Sequence, residues 1–122
     1  QPGGDRFNVV SNNVCRVNGQ HGIFANGGGG NLITGNMCID NSQAKLGAYS
    51  GIALQNATRC TITSNHCACD GEKPTQKYGV EEIGTADENT IIGNQCHGNL
   101  LGGLRVMGKD TQVMANGGTV DR

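Results

Sequence analysis

The residues best equipped for chemistry are two adjacent carboxylates, Glu81 and Glu82, in the run Gly79-Val80-Glu81-Glu82-Ile83. A carboxylate can act as general acid or base. A pair that cleaves a glycosidic bond stands roughly 5–9.5 Å apart across it, which adjacency in sequence does not by itself provide. Arg105 is the cation closest in pattern, one repeat further on. The plain alternative is a solvated pair in which Glu81 and Arg105 form an exposed salt bridge of at most about 1 kcal/mol. Two polar segments hold other functional types: Asp40 to Ser50 carries Lys45 and Tyr49, and Asp70 to Tyr78 carries Lys77 and Tyr78. The run Cys60, His66, Cys67, Cys69 contains metal-ligand types. It lacks a paired C-x-x-C spacing, and strand alternation sends His66 and Cys67 to opposite faces, so no metal site is expected. Gly27 to Gly30 is followed by neither Lys-Ser/Thr nor a helix pattern, so it reads as a turn and not a phosphate loop. No cofactor is expected.

The elements that position these residues come from a repeat. Five segments align without gaps: Asn8 to Cys15, Asn31 to Cys38, Cys60 to Cys67, Asn89 to Cys96 and Thr111 to Gly118. They share x-x-[VI]-x-x-N-x-C, with the asparagine at Asn13, Asn36, Asn65, Asn94 and Asn116. Gly22-Ile23, Gly51-Ile52, Gly79-Val80 and Gly103-Leu104 form a second motif between the copies. Val10, Ile33, Ile62, Ile91 and Val113 alternate with outward residues, a period of two that marks strands. Gly and Asn recur too often for helices, and β-branched residues dominate the apolar positions. Short strands repeating every 20–30 residues predict a solenoid of four to five rungs. Cys15, Cys38, Cys67 and Cys96 share one repeat position and are expected to stack inward as small unpaired apolar groups. Cys69, two residues after Cys67, is expected inward as well.

This pattern, N-x-I-x-x-N-x-C followed by G-I, resembles the right-handed parallel β-helix repeat of the pectin-lyase-like superfamily over about residues 6 to 118. The resemblance implies an all-β right-handed parallel β-helix with an asparagine ladder at the turn between second and third strands. The Gly-Ile segments become first strands and the residues after the asparagines become third strands. It further implies a groove along the first-strand sheet, flanked by loops 40–50 and 70–78, in which a polysaccharide lies. On that face the resemblance places Glu81, Glu82 and Arg105 as catalytic candidates. Tyr49, Tyr78, Lys45, Lys77, Gln55 and Phe24 are the substrate-binding candidates. The Gly79 segment is one residue longer than its neighbours, which suggests a β-bulge turning both glutamates outward, since a lone buried carboxylate is costly. His21, at the groove edge, and His66 and His97, outward on third strands, read as surface polar residues. The calcium-dependent lyase and epimerase signatures of the superfamily are absent, so an enzyme would be a lyase, hydrolase or epimerase of another pattern.

Composition narrows the classes. Nine Lys and Arg against ten Asp and Glu give a net charge of −1, with no basic excess for a nucleic acid. No apolar run reaches the 18 residues of a membrane helix. Twenty-one Gly and fourteen Asn, with no Trp, two Phe and two Tyr, suit a narrow bore lined by Ile, Val, Leu, Ala and Cys. Residues 1–122 read as a single β-helix domain and a fragment of a longer β-helix protein. Neither Gln1 to Asp5 nor the last residues look like a cap, so neighbouring domains or self-association would cover the ends. The expected function is polysaccharide binding or processing; the alternative is a non-catalytic structural or adhesive segment of the tail-spike or surface-protein kind. A secreted, virion or cell-surface location follows from the resemblance alone.

Overall fold

The computed structural model describes residues 6–122, and Gln1 to Asp5, where a cap was sought in sequence, lie outside them. Strands β1 (Val9–Ser11), β2 (Val14–Arg16) and β3 (Ile23–Asn26) make the first turn of a coil. β4 (Leu32–Thr34), β5 (Met37–Ile39) and β6 (Ile52–Gln55) make the second; β7 (Thr61–Thr63), β8 (His66–Ala68) and β9 (Tyr78–Ile83) the third. β10 (Thr90–Ile92) and β11 (Gly102–Arg105) belong to the fourth, and β12 (Gln112–Met114) and β13 (Val120–Asp121) to the fifth. Like strands stack on like: β1-β4-β7-β10-β12, β3-β6-β9-β11-β13 and β2-β5-β8 form three sheets, and every pairing within them is parallel. Single bridges at Gln95 and Gly117 continue the third sheet. This is a parallel β-helix of five turns. None of the described residues forms a helix, so no helix is long and apolar enough to cross a membrane.

The bore is filled by one residue from each second and third strand per turn and by two from the first strands, such as Ile52 and Leu54 of β6. Ile33, Ile62 and Ile91 stack from the second strands, Ile52, Val80 and Leu104 from the first, and Cys38, Cys67 and Cys96 from the third. Each buried isoleucine or leucine contributes about 1.5–3 kcal/mol. All six cysteines are free thiols. The glycines that open the first strands face this thiol row: a Cβ on Gly51 would stand 2.8 Å from the Gly79 carbonyl and 3.1 Å from the Cys67 Cβ. The bore is too tight there for any side chain.

Three rows of side-chain amides hold the corners. In the first, Asn36, Asn65 and Asn94 each receive the preceding rung's backbone and amide N–H on their Oδ1 and donate onward in turn, at 2.9–3.1 Å. The second row runs Asn18, Asn41, Gln76, Asn99. The third is Asn8, Asn31, Cys60, Asn89, Thr111. The residue before most members of these rows takes the left-handed conformation: Asn12, Gly35, Ser64, Gly93 and Ala115 in the first row, Val17, Asp40 and Gly98 in the second, Phe7, Gly30, Arg59 and Glu88 in the third; Thr75 before Gln76 and Asp110 before Thr111 do not. The left-handed residue turns the chain inward, and the amide behind it satisfies the corner's backbone groups. Asparagine therefore serves as hydrogen-bonding filler, and its predecessor carries the strained backbone.

Candidate functional site

The outward face of the first-strand sheet follows from register. Phe24, Ala53, Glu81, Arg105 and Asp121 form one row down five turns. Asn26, Gln55 and Ile83 form the next. Ahead of the first row stand His21, Ser50 and Tyr78, at the entrance to each strand.

Register corrects the expectation about the glutamates. β6 and β9 pair without a bulge through Gln55↔Ile83, so Ile83 faces out and Glu82 faces into the bore beside Leu54. The extra residue is absorbed in the turn after β9, at Gly84 to Ala86, where Thr85 N–H binds Asn56 Oδ1 at 2.9 Å. Glu82 is 1% exposed. It accepts hydrogen bonds from Asn89 Nδ2 (2.7 Å), Thr111 Oγ1 (2.6 Å) and the backbone N–H groups of Met107 and Gly108 (2.9 Å each). Four donors offset the desolvation that a lone carboxylate would suffer. Glu82 is thus a corner clamp facing away from the groove.

Glu81 does face outward, yet it is 5% exposed and both oxygens are engaged. Ser50 Oγ donates to Oε1 at 2.7 Å, and Lys77 Nζ stands 2.8 Å from Oε2. The expected partner, Arg105, lies beside Glu81 in register but forms no ion pair among the described residues. Tyr78 belongs to β9 and not to a loop. It is 6% exposed, and its hydroxyl donates to Asp121 Oδ2 at 2.9 Å, so its ring is not free to meet a ligand. Burial, and then the Asp121 carboxylate, push its phenol up from its ordinary value.

Around His21 the structure assembles what the chain order disperses. Its ring stacks on Phe24 (centroids 5.1 Å, 17° between planes) and meets Tyr49 edge-on at 5.0 Å. Its Nδ1 accepts the Ser50 backbone N–H at 2.9 Å, which places the proton of the neutral ring on Nε2. Burial lowers its pKa, against the pull of the Ser50 carbonyl and of Glu81. His21, Ser50, Glu81 and Lys77 therefore form one connected chain over three rungs. It is not a nucleophilic triad: the imidazole holds Ser50's backbone, while the Ser50 hydroxyl gives its hydrogen to Glu81. The sequence sets His21 at the groove edge as a surface polar residue; its one signal of more is its place directly before Gly22, the position that Ser50 and Tyr78 fill in later turns.

The remaining candidates spread out. Gln55 is half-buried at the end of β6, and Lys45 is exposed at the tip of the first loop. The two loops touch where Gly47 N–H binds the Thr75 carbonyl at 2.8 Å. Their insertions fall on opposite sides of the second amide row, after Asn41 and before Gln76. The first loop thus brings Tyr49 to the first-strand face, while Asp70 in the second lines a groove on the third sheet. Cys69, expected in the bore, also lines that outer groove; its Sγ accepts the N–H groups of Thr75 and Gln76 at 3.4 Å each. Cys60 stands where other turns carry an asparagine of the third row. No group of three or more potential metal ligands occurs among the described residues.

A family model described as a right handed beta helix region matches residues 3–120. The chain belongs to the right-handed β-helix family. That assigns the hand of the coil and leaves its task open. No curated protein and no solved structure matches the chain.

Proposed function

We propose that this right-handed β-helix module binds a polysaccharide along its first-strand face without cleaving it. The observation that carries the reading is the aromatic cluster of Phe24, His21 and Tyr49 at the head of the row that continues to Glu81 and Arg105. Phe24 is 49% exposed and offers a ring face to the apolar side of a sugar. The His21 Nε2–H and Gln55 supply hydrogen-bond donors near it, and Arg105 supplies one three rungs further along the row. The resemblance to the pectin-lyase-like superfamily, whose enzymes bind polysaccharide along their first-strand sheet, supports this choice of face. Binding is favoured over cleavage because Glu81 has both oxygens occupied and Glu82 lies on the other side of the sheet. An acid–base pair needs two carboxyl groups facing one bond.

Affinity electrophoresis through acidic and neutral polysaccharides tests this. Retention by at least one polymer is expected, weakened about two- to tenfold by Phe24→Ala or Tyr49→Ala, the equivalent of about 0.5–1.5 kcal/mol per aromatic contact. Absence of retention by every polymer would sink the proposal. Release of reducing ends that disappears in Glu81→Gln would replace binding with catalysis.

A second reading is a non-catalytic structural or adhesive segment. Phe7, Val9, Val14 and Val17 are exposed on the first turn and Met114 and Val120 on the last, apolar surface of the kind that contacts other proteins.

A further inference from the structure

The third sheet carries on its outward side a groove of about 480 Å³, a size usual for small-ligand sites, which span about 300–1,000 Å³. Its floor is Ile39 and Ala68, each less than a tenth exposed, with Val14, Met37 and, on the Ala68 turn, His66 standing beside them. Register puts Arg16, Ile39 and Ala68 on three successive turns. Arg16 is therefore about 10 Å along the axis from Ala68, two rung spacings. Asp70 leaves the sheet two residues beyond Ala68 and lines the same groove; its backbone N–H is pinned to Asp40 Oδ1 at 2.8 Å. Among the described residues neither the Arg16 guanidinium nor the Asp70 carboxylate has an ion-pair or hydrogen-bond partner. The groove thus presents a cation at one end, an apolar floor, and an anion at the other end.

We propose that this groove is a ligand site for a short apolar zwitterion, a peptide of about three extended residues. Its ammonium lies at Asp70 and its carboxylate at Arg16. An extended chain covers about 3.3–3.6 Å per residue, so three residues match the two rung spacings from Arg16 to Ala68, with their side chains resting on Ile39 and Ala68. The site lies on a different sheet from the first-strand face and does not depend on the polysaccharide reading.

The test uses tri-leucine, its N-acetyl form and its C-terminal amide, followed by methyl NMR and calorimetry. Expected are shifts confined to the methyls of Val14, Met37, Ile39 and Ala68. Acetylation and Asp70→Asn should each weaken binding about two- to fivefold, as for an exposed charge pair, with no further loss when combined. The amide and Arg16→Gln should behave as the matching pair at the other end. Both substitutions are at exposed side chains, so folding is retained. No shift at millimolar peptide, equal binding of blocked and free termini, or shifts on another face would overturn the proposal. So would concentration-dependent self-association abolished by Met37→Glu, which would make a second copy the occupant.

Discussion

His21 holds its place by committing one ring nitrogen to a backbone N–H, and that commitment makes it sensitive to pH. Burial disfavours the imidazolium, so the folded-state pKa lies below the unfolded value of about 6.5. Above that value both states are neutral and the full stability is present. As pH falls through it, the unfolded chain takes up the proton first and stability declines until the folded pKa is passed. Two measurements check this: an NMR titration midpoint for His21 below 6.5, and a midpoint of urea unfolding that drops on acidification less in His21→Gln than in the parent. Glu82 shows the limit of reading single residues. A lone buried carboxylate is costly, which favours exposure, but Glu82 is not alone. Its donors come from positions 7 to 29 residues away, and no local pattern in the chain announces them.

At the scale of the element, the corner is the unit that repeats. A left-handed residue followed by an amide recurs at three corners, and each amide serves two rungs. A central member should therefore matter more than a terminal one. Asn65→Ala leaves the buried Asn36 backbone N–H without its acceptor, and takes one of two partners from Asn36 Nδ2 and one from the Ile33 carbonyl. At about 1–3 kcal/mol for an unsatisfied buried group, it should cost at least about 1–3 kcal/mol. Asn13 is exposed and, among the described residues, no amide of an earlier rung donates to it, so Asn13→Ala should cost under about 1 kcal/mol. Chemical denaturation of the two variants checks the difference, and equal losses would mean the row contributes nothing beyond local turn propensity. The first row was legible because its motif is ungapped. The second was not, since Gln76 replaces asparagine after an insertion that shifts the spacing. The third was hidden because Cys60 and Thr111 interrupt its chemistry.

For the whole molecule, every sheet pairing joins residues 16 to 29 apart in the chain, and none is a hairpin. Relative to 122 residues this is a separation of roughly 0.2, the range in which folding takes milliseconds to seconds. Stopped-flow refolding should fall there; a microsecond phase carrying the full amplitude would contradict it. The sequence alone determined the coil, its four to five turns and the inward residues Ile33, Ile62, Ile91, Cys38, Cys67 and Cys96. A period of two combined with an ungapped repeat leaves one way to bury them. Only the tertiary structure decided what the outer faces carry. Which loop falls on which side of a corner, whether Glu82 points in, and which aromatic rings meet His21 depend on contacts between turns. Those contacts are set by register across rungs, and spacing along the chain does not encode them.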